Sequence, residues 1–267
     1  MKLHTHMVEK PWGRDDIPAH FGAPKGKRIG EIWYDDGSDI PLPLLIKWLF
    51  TSEKLSVQVH PNDAQARARG FPSGKEECWY VVSAEPGAVI GMGTKHALSS
   101  DELRAASLDG SIEDLLDWKP VQAGDYFYIA ACTVHAIGAG IVLVEVQQYA
   151  DLTYRLYDYG RLDKGKPRAL HLDDGVAVSL PLPYTDSRSG HALTSTQLVD
   201  SPHFRLWLVS DADALLDLRS DTRRWIIPLS GECFAGDIKG NAGDCLLADA
   251  GVDVRMSDNS TMLVAME

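Results

Sequence analysis

Leu55-Ser56-Val57-Gln58-Val59-His60-Pro61 alternates apolar and polar side chains, the period of two that marks a half-buried strand. Gln58 and His60 then share one face, about 7 Å apart along the strand, while Val57 and Val59 pack on the other. Runs of the same kind surround it: LLIKWLF (44–50), CWYVVS (78–83), GAVIGMG (87–93), DYFYIAA (125–131) and GIVLVEVQQY (140–149), each broken by Gly, Pro or Asp. Short β-branched and aromatic runs punctuated in this way predict a mainly β protein, a barrel or a sandwich.

Helix is the minority. Asn62 is placed to cap a short helix that Gly70 stops, and Ser99 with Glu102 forms a capping box opening a helical insert over 99–118, interrupted at Gly110. Pro181-Leu182-Pro183 marks a change of organisation, and a second series of strands starts at FRLWLV (204–209). Two β domains are expected, over 1–182 and 193–267, joined by a linker at 183–192. The second repeats the rhythm of the first in WIIPLSGECFAGD (225–237) and NAGDCLLADA (241–250), but no histidine follows His203. A metal site is therefore expected in the first domain alone.

The 267 residues carry a formal charge of −12, which argues against nucleic acid as a partner. A small anionic ligand would need a locally basic pocket. No run approaches the roughly 20 apolar residues of a membrane span, and the N-terminus has no signal-peptide core, so a cytoplasmic protein is expected. Cys78, Cys132, Cys233 and Cys245 lack metal or disulfide spacing and are expected to be reduced and buried.

Three further segments offer chemistry. Lys75 and Glu77 share a strand face in GKEECWY (74–80), and Asp125 to Ile129 leads through a turn to His135. Gln58, His60, Glu77 and His135 make an O, N, O, N donor set suited to zinc or a similar divalent ion, with room for water or substrate. Alternation alone does not bring them together, because strands can be laid side by side in many registers. His4 and His6 alternate like a metal pair but lie in a terminal segment. His20, His96, His171, His191 and His203 show no ligand spacing, and Trp12, Trp33, Trp48, Trp79 and Trp118 are expected mainly in the core.

SVQVHP (56–61), GKEECWY, AGDYFYIAACTVHAIGAG (123–140) and VEVQQYADLTYRLYDYGR (144–161) resemble, in order and spacing, the type I phosphomannose isomerases, particularly the short bacterial form. The resemblance runs from KPWG (10–13) to Arg161 and more loosely beyond. It implies two cupin-like jelly-roll barrels, the first with the short helical insert, and one Zn2+ held by Gln58, His60, Glu77 and His135. It also implies a sugar-phosphate substrate, mannose 6-phosphate and fructose 6-phosphate, with Lys47, Lys75 and Arg155 around it. Ile129-Ala130-Ala131-Cys132-Thr133 departs from the family's Ile-Pro-Ala-Gly-Thr turn, which suggests a looser turn with Cys132 near the site. The helical domain of the larger members is absent, leaving a pocket wall to the 99–118 insert or to a second subunit, as a monomer or a homodimer.

Moving a proton between C1 and C2 through an enediolate needs a base and a stabiliser of oxyanion charge. Glu145, on the strand face of Gln147, is the candidate base, with an ion-pairing role toward His135 or Arg155 as its alternative. Lys75 and Arg155 complete the candidate catalytic set, although Arg155 would equally suit an ion pair with Asp151 or Asp158. Two other functions fit the same residues: a metal cupin acting on another sugar phosphate or on a small acid with dioxygen, and a non-catalytic sugar-binding protein.

Overall fold

The computed structural model describes residues 1–163, 165–218 and 221–267. In chain order the first part carries β1 (His4–Arg14), β2 (Ile29–Asp35), β3 (Leu44–Phe50), β4 (Val57–Val59), α1 (Asp63–Arg67), β5 (Glu77–Ala84), β6 (Val89–Thr94), α2 (Ser100–Asp109), α3 (Ile112–Leu115), β7 (Leu116–Pro120), β8 (Asp125–Ile129), β9 (His135–Ile137), β10 (Ile141–Gln148) and β11 (Tyr154–Tyr157). A small hairpin, β12 (Leu162–Asp163) and β13 (Lys166–Pro167), leads to α4 (Leu172–Val178) and β14 (Gly190–His191). The second part holds β15 (Thr196–Asp200), β16 (Arg205–Val209), α5 (Ala212–Asp217), β17 (Arg224–Ser230), β18 (Glu232–Ala235), β19 (Ile238–Asn241), β20 (Leu246–Ala248), β21 (Val254–Met256) and β22 (Thr261–Met266).

The first sandwich pairs a seven-stranded sheet, β1-β2-β3-β10-β5-β8-β14, with a five-stranded one, β11-β4-β9-β6-β7. The second pairs β15-β16-β22-β17-β20 with β19-β18-β21. The mainly β expectation holds. Gly190 and His191, in the segment expected to link the domains, pair with β8 at the edge of the first sandwich.

Why LLIKWLF shows almost no alternation is explained by its two buried faces. Ile46, Trp48 and Phe50 point outward into a core shared with Leu206, Trp225, Ile227 and Leu263 of the second sandwich, while Leu49 packs inward with Trp79, Ile129 and Leu143. A strand with both faces covered loses the polar half of its pattern. Each such side chain, fully buried, contributes about 1.5–3 kcal/mol. The second sandwich thus buries the back of the sheet that carries half of the site.

On the five-stranded sheet Val57 and Val59 turn outward, as their alternation requires, and pack with Ala66, Leu103, Ala106 and Ile112 of the helices. Asn62 caps α1 in a box with Gln65, and Ser99 caps α2 in a box with Glu102. Gly110, at φ 87°, ends α2. The insert then leaves helix sooner than expected, because Leu116 to Pro120 pairs with β6 and tertiary pairing overrides local propensity.

Gly74 fixes where Lys75 enters the site. A Cβ there would lie 2.5 Å from the Pro61 oxygen and the Asn62 carbonyl carbon, both rigid backbone. Gly74→Ala is expected to destabilise the protein by about 1–3 kcal/mol through overpacking, measured as a lowered denaturation midpoint. An unchanged midpoint would mean that this approach is not tight in solution.

Candidate metal and sugar-phosphate site

Two rows of side chains face each other between the sheets of the first sandwich. On the five-stranded sheet, register sets Arg155 beside Gln58 and Gln58 beside His135. On the seven-stranded sheet it sets Lys47 beside Glu145 and Glu145 beside Trp79, with Glu77 beside Gln147. His60 follows directly after β4. Strand pairing therefore assembles residues that stand up to about 100 positions apart in the chain.

His60, Glu77 and His135 form a buried cluster whose ligand atoms all lie within 4.8 Å of one another. His60 Nε2 is 3.6 Å from one Glu77 oxygen and His135 Nε2 is 3.5 Å from the other. Each imidazole donates Nδ1–H to a backbone carbonyl, His60 to Leu152 at 2.8 Å and His135 to Thr133 at 2.9 Å. Those bonds fix the tautomer and leave the Nε2 lone pairs aimed inward, the arrangement of metal-ligating histidines. His60 Nε2 has no hydrogen-bond partner, and the Glu77 oxygens meet only the Lys75 ammonium, 2.7 Å from one of them. Buried donors and acceptors left open in this way are costly unless something fills the centre. Two neutral nitrogens and a carboxylate fit a divalent metal ion.

The electrostatics agree. Burial pushes His135 down to about 3, helped by His60, and burial likewise lowers His60, so both rings stay neutral. Burial alone would raise Glu77, but the Lys75 ammonium holds it well below the carboxylate range. Gln58 stands beside this cluster, with its amide nitrogen donating to His135 Nε2 at 3.2 Å. Rotating the amide by half a turn exchanges nitrogen for oxygen and offers the fourth donor at the same place.

Beside the cluster opens a polar cleft of about 270 Å³, lined among others by Gln58, Lys47, Lys75, Glu145 and Arg155. Glu145 is the hub of its floor. One oxygen lies 3.1 Å from Lys47 and 3.5 Å from Lys75, and the other accepts from Trp79 Nε1 at 3.0 Å. Lys47 also sits over the Trp33 ring, 4.7 Å from its centre. Burial would lower Lys75, but Glu145 and Glu77 outweigh it and leave the ammonium raised and charged.

No protein-family model matches the chain. Individual proteins do: it is 41% identical over 202 residues to the mannose-6-phosphate isomerase of Streptococcus mutans, covering 71% of this chain and 64% of that protein. It is 35% identical over 231 residues to the mannose-6-phosphate isomerase ManA of Bacillus subtilis, covering 81% of this chain and 73% of that one. The chain belongs to the mannose-6-phosphate isomerases. A crystal structure of the mannose 6-phosphate isomerase from Bacillus subtilis superposes with a TM-score of 0.83 at 24% identity, covering 99% of this chain and 98% of that one. A variant of the phosphomannose isomerase from Salmonella typhimurium gives 0.74 at 12%, covering 100% and 98%. These two likenesses speak for the fold, the cupin-like β architecture expected from the sequence.

Of the two sources expected for the pocket wall, the 99–118 insert is not one among the described residues. The insert packs outside the five-stranded sheet, and Lys10, Trp12 and Glu31 from the β1–β2 hairpin line the cleft instead. Glu145 binds the two lysines and Trp79, not His135 or Arg155. Arg155 pairs with neither Asp151 nor Asp158; its guanidinium donates to the Ala169 carbonyl at 2.9 Å. Cys132 does not line the cleft among the described residues. Its backbone is held at φ 72°, a conformation that favours glycine, its N–H donates to the His60 carbonyl at 2.7 Å, and its thiol meets Gln65 of α1. Arg168, which also lines the cleft, was not singled out from the sequence; its only signal is a basic residue in a polar loop. All four cysteines are free and buried. Among the described residues no helix is long and apolar enough to cross a membrane.

Proposed function

We propose that the chain is a zinc-dependent aldose–ketose isomerase that interconverts mannose 6-phosphate and fructose 6-phosphate. What carries the reading is the buried His60–Glu77–His135 cluster, whose ligand atoms lie within 4.8 Å of one another and which adjoins, through Gln58, a cleft lined by lysines and arginines. His60, Glu77 and His135, with Gln58 as a fourth donor, would hold the ion. Zinc, when bound, supplies Lewis acidity toward a sugar oxygen at the carbons that exchange the proton.

The chain's own groups do the remainder. Glu145 is the carboxylate that lines the cleft beside the cluster, and it takes the proton from one carbon of the open-chain sugar and returns it to the next. Lys47, Lys75 and Trp79 fix its orientation through three contacts, so that the proton acceptor is preorganised. Lys75 bridges Glu145 and Glu77 and is placed to follow charge between them. Arg155, beside Gln58, stabilises negative charge on the enediolate oxygens without giving up a proton. The four buried thiols suit a reducing, cytoplasmic setting.

A coupled assay of mannose 6-phosphate turnover tests this. Chelation is expected to lower the rate at least about 100-fold, and zinc to restore it. Absence of turnover in protein carrying one zinc per chain would overturn the reading.

A further inference from the structure

Glu76 is the residue between Lys75 and Glu77, and alternation turns its side chain the other way, out of the cleft and toward the core that holds Tyr128. There it accepts a hydrogen bond from the Tyr128 hydroxyl. Tyr128 is fully buried, and burial raises its phenol, so the hydroxyl keeps the proton that it donates to the carboxylate. Its ring centre lies 3.7 Å from the Arg188 guanidinium, which donates to Asp186 at 2.9 Å, and 6.0 Å from the ring of Phe204 in the second sandwich. His203, beside Phe204, brings Nε2 to 3.8 Å from the same Glu76 oxygen. The backbone of Glu76 is held as firmly: its N–H donates to Gln148 Oε1 at 2.9 Å and its carbonyl accepts from the Gln148 N–H at 3.1 Å. Just before it, the Gly74 N–H donates to Asp63 at 2.8 Å, and the Lys75 N–H to the carbonyl of Pro61, next to His60, at 3.1 Å.

None of the described residues lining the cleft comes from the second sandwich, yet Phe204 and His203 reach the metal site at one remove through this contact. A buried tyrosine hydroxyl needs some acceptor, and any carbonyl in reach would serve. What distinguishes this acceptor is its place in the chain: no residue of slack separates it from Glu77 or from Lys75, whose ammonium is 2.7 Å from Glu77. We propose that Glu76 and Tyr128 are positioning residues for the metal site, their hydrogen bond on the outer face of the sheet fixing how Lys75 and Glu77 enter it. This rests on the isomerase reading and deepens it with a requirement that no residue of the cleft supplies. Without that bond the segment is anchored through its backbone alone. A shift of about 1 Å in a carboxylate ligand, or in the ammonium beside it, is enough to cost metal affinity or rate about ten- to a hundredfold.

The test sets Glu76→Ala beside Glu76→Gln, whose amide oxygen still accepts from Tyr128, in the full chain. Zinc affinity, read by competition with a chromophoric chelator, is expected to fall about tenfold in the alanine variant and to stay within about twofold of the wild type in the glutamine variant. At saturating zinc and well below the thermal midpoint, kcat for mannose 6-phosphate is expected to fall about tenfold in Glu76→Ala, with KM within about threefold. Tyr128→Phe should reproduce both losses, and the double variant Glu76→Ala with Tyr128→Phe should be no worse than either single one, since both remove the same bond. A lowered midpoint with wild-type zinc affinity and kcat would reduce the bond to fold stability and overturn the proposal, as would losses that multiply in the double variant. Equal losses in the alanine and glutamine variants would trace the effect to the missing charge and overturn it too. If the wild type does not isomerise the sugar yet zinc affinity follows the expected pattern, the positioning role stands and the isomerase reading falls. Should Tyr128→Phe melt near the assay temperature, the alanine and glutamine variants decide alone, because the Glu76 side chain is partly exposed and its loss opens no large void.

Discussion

His135→Ala is expected to empty the metal site and lower turnover on the order of a thousandfold, about 4 kcal/mol of transition-state stabilisation, while the protein stays folded. The ring is fully buried, held through Nδ1 by the Thr133 carbonyl and set edge-on to Trp79, with ring centres 5.4 Å apart. Its loss removes one of two nitrogens that point at Glu77 and leaves a small void, a cost of about 1–3 kcal/mol that a core shared by two sandwiches can absorb. Metal content per chain, measured by atomic emission beside a thermal melt, separates the two effects. Wild-type turnover with wild-type metal content in this variant would remove His135 from the site.

The same cluster marks how far the sequence carries. Period-two alternation put Gln58 and His60 on one face and sent Val57 and Val59 to the other, because a strand's geometry is local. Caps at Asn62 and Ser99 were legible for the same reason, since a cap involves a few neighbouring residues. Register is not local. Gln58 meets His135 through a single pairing of β4 with β9, and Lys47 meets Glu145 across β3 and β10; nothing in the spacing of 77 or 98 residues specifies either. The resemblance to a family supplied what alternation could not. Partners of charged groups were the least legible: the ion pair offered as the alternative role of Glu145 was with His135 or Arg155, and the residue instead meets two lysines from flanking segments. Arg168 stayed hidden because a basic residue in a polar loop is ordinarily solvated, and only the fold brings it back over Asp158.

That hub makes the second large effect. Glu145→Gln is expected to abolish measurable turnover, a fall of about 10³-fold or more, and also to destabilise the protein by about 3 kcal/mol. The two losses have different causes. Turnover falls because an amide cannot take a proton. Stability falls because the Lys47 and Lys75 side chains are 6% and 5% exposed, and the variant leaves the first without its carboxylate and the second with Glu77 alone. Breaking a buried pair from one side costs more than removing both partners, so the double variant Glu145→Gln with Lys47→Met should recover much of the lost stability and none of the activity. If instead the single variant were as stable as the wild type, water would have to reach the two ammoniums, and the floor of the cleft would be wetter than its burial implies. If the single variant kept turnover, Glu145 would organise Lys47 and Lys75 without moving the proton, and another group in the cleft would have to carry it.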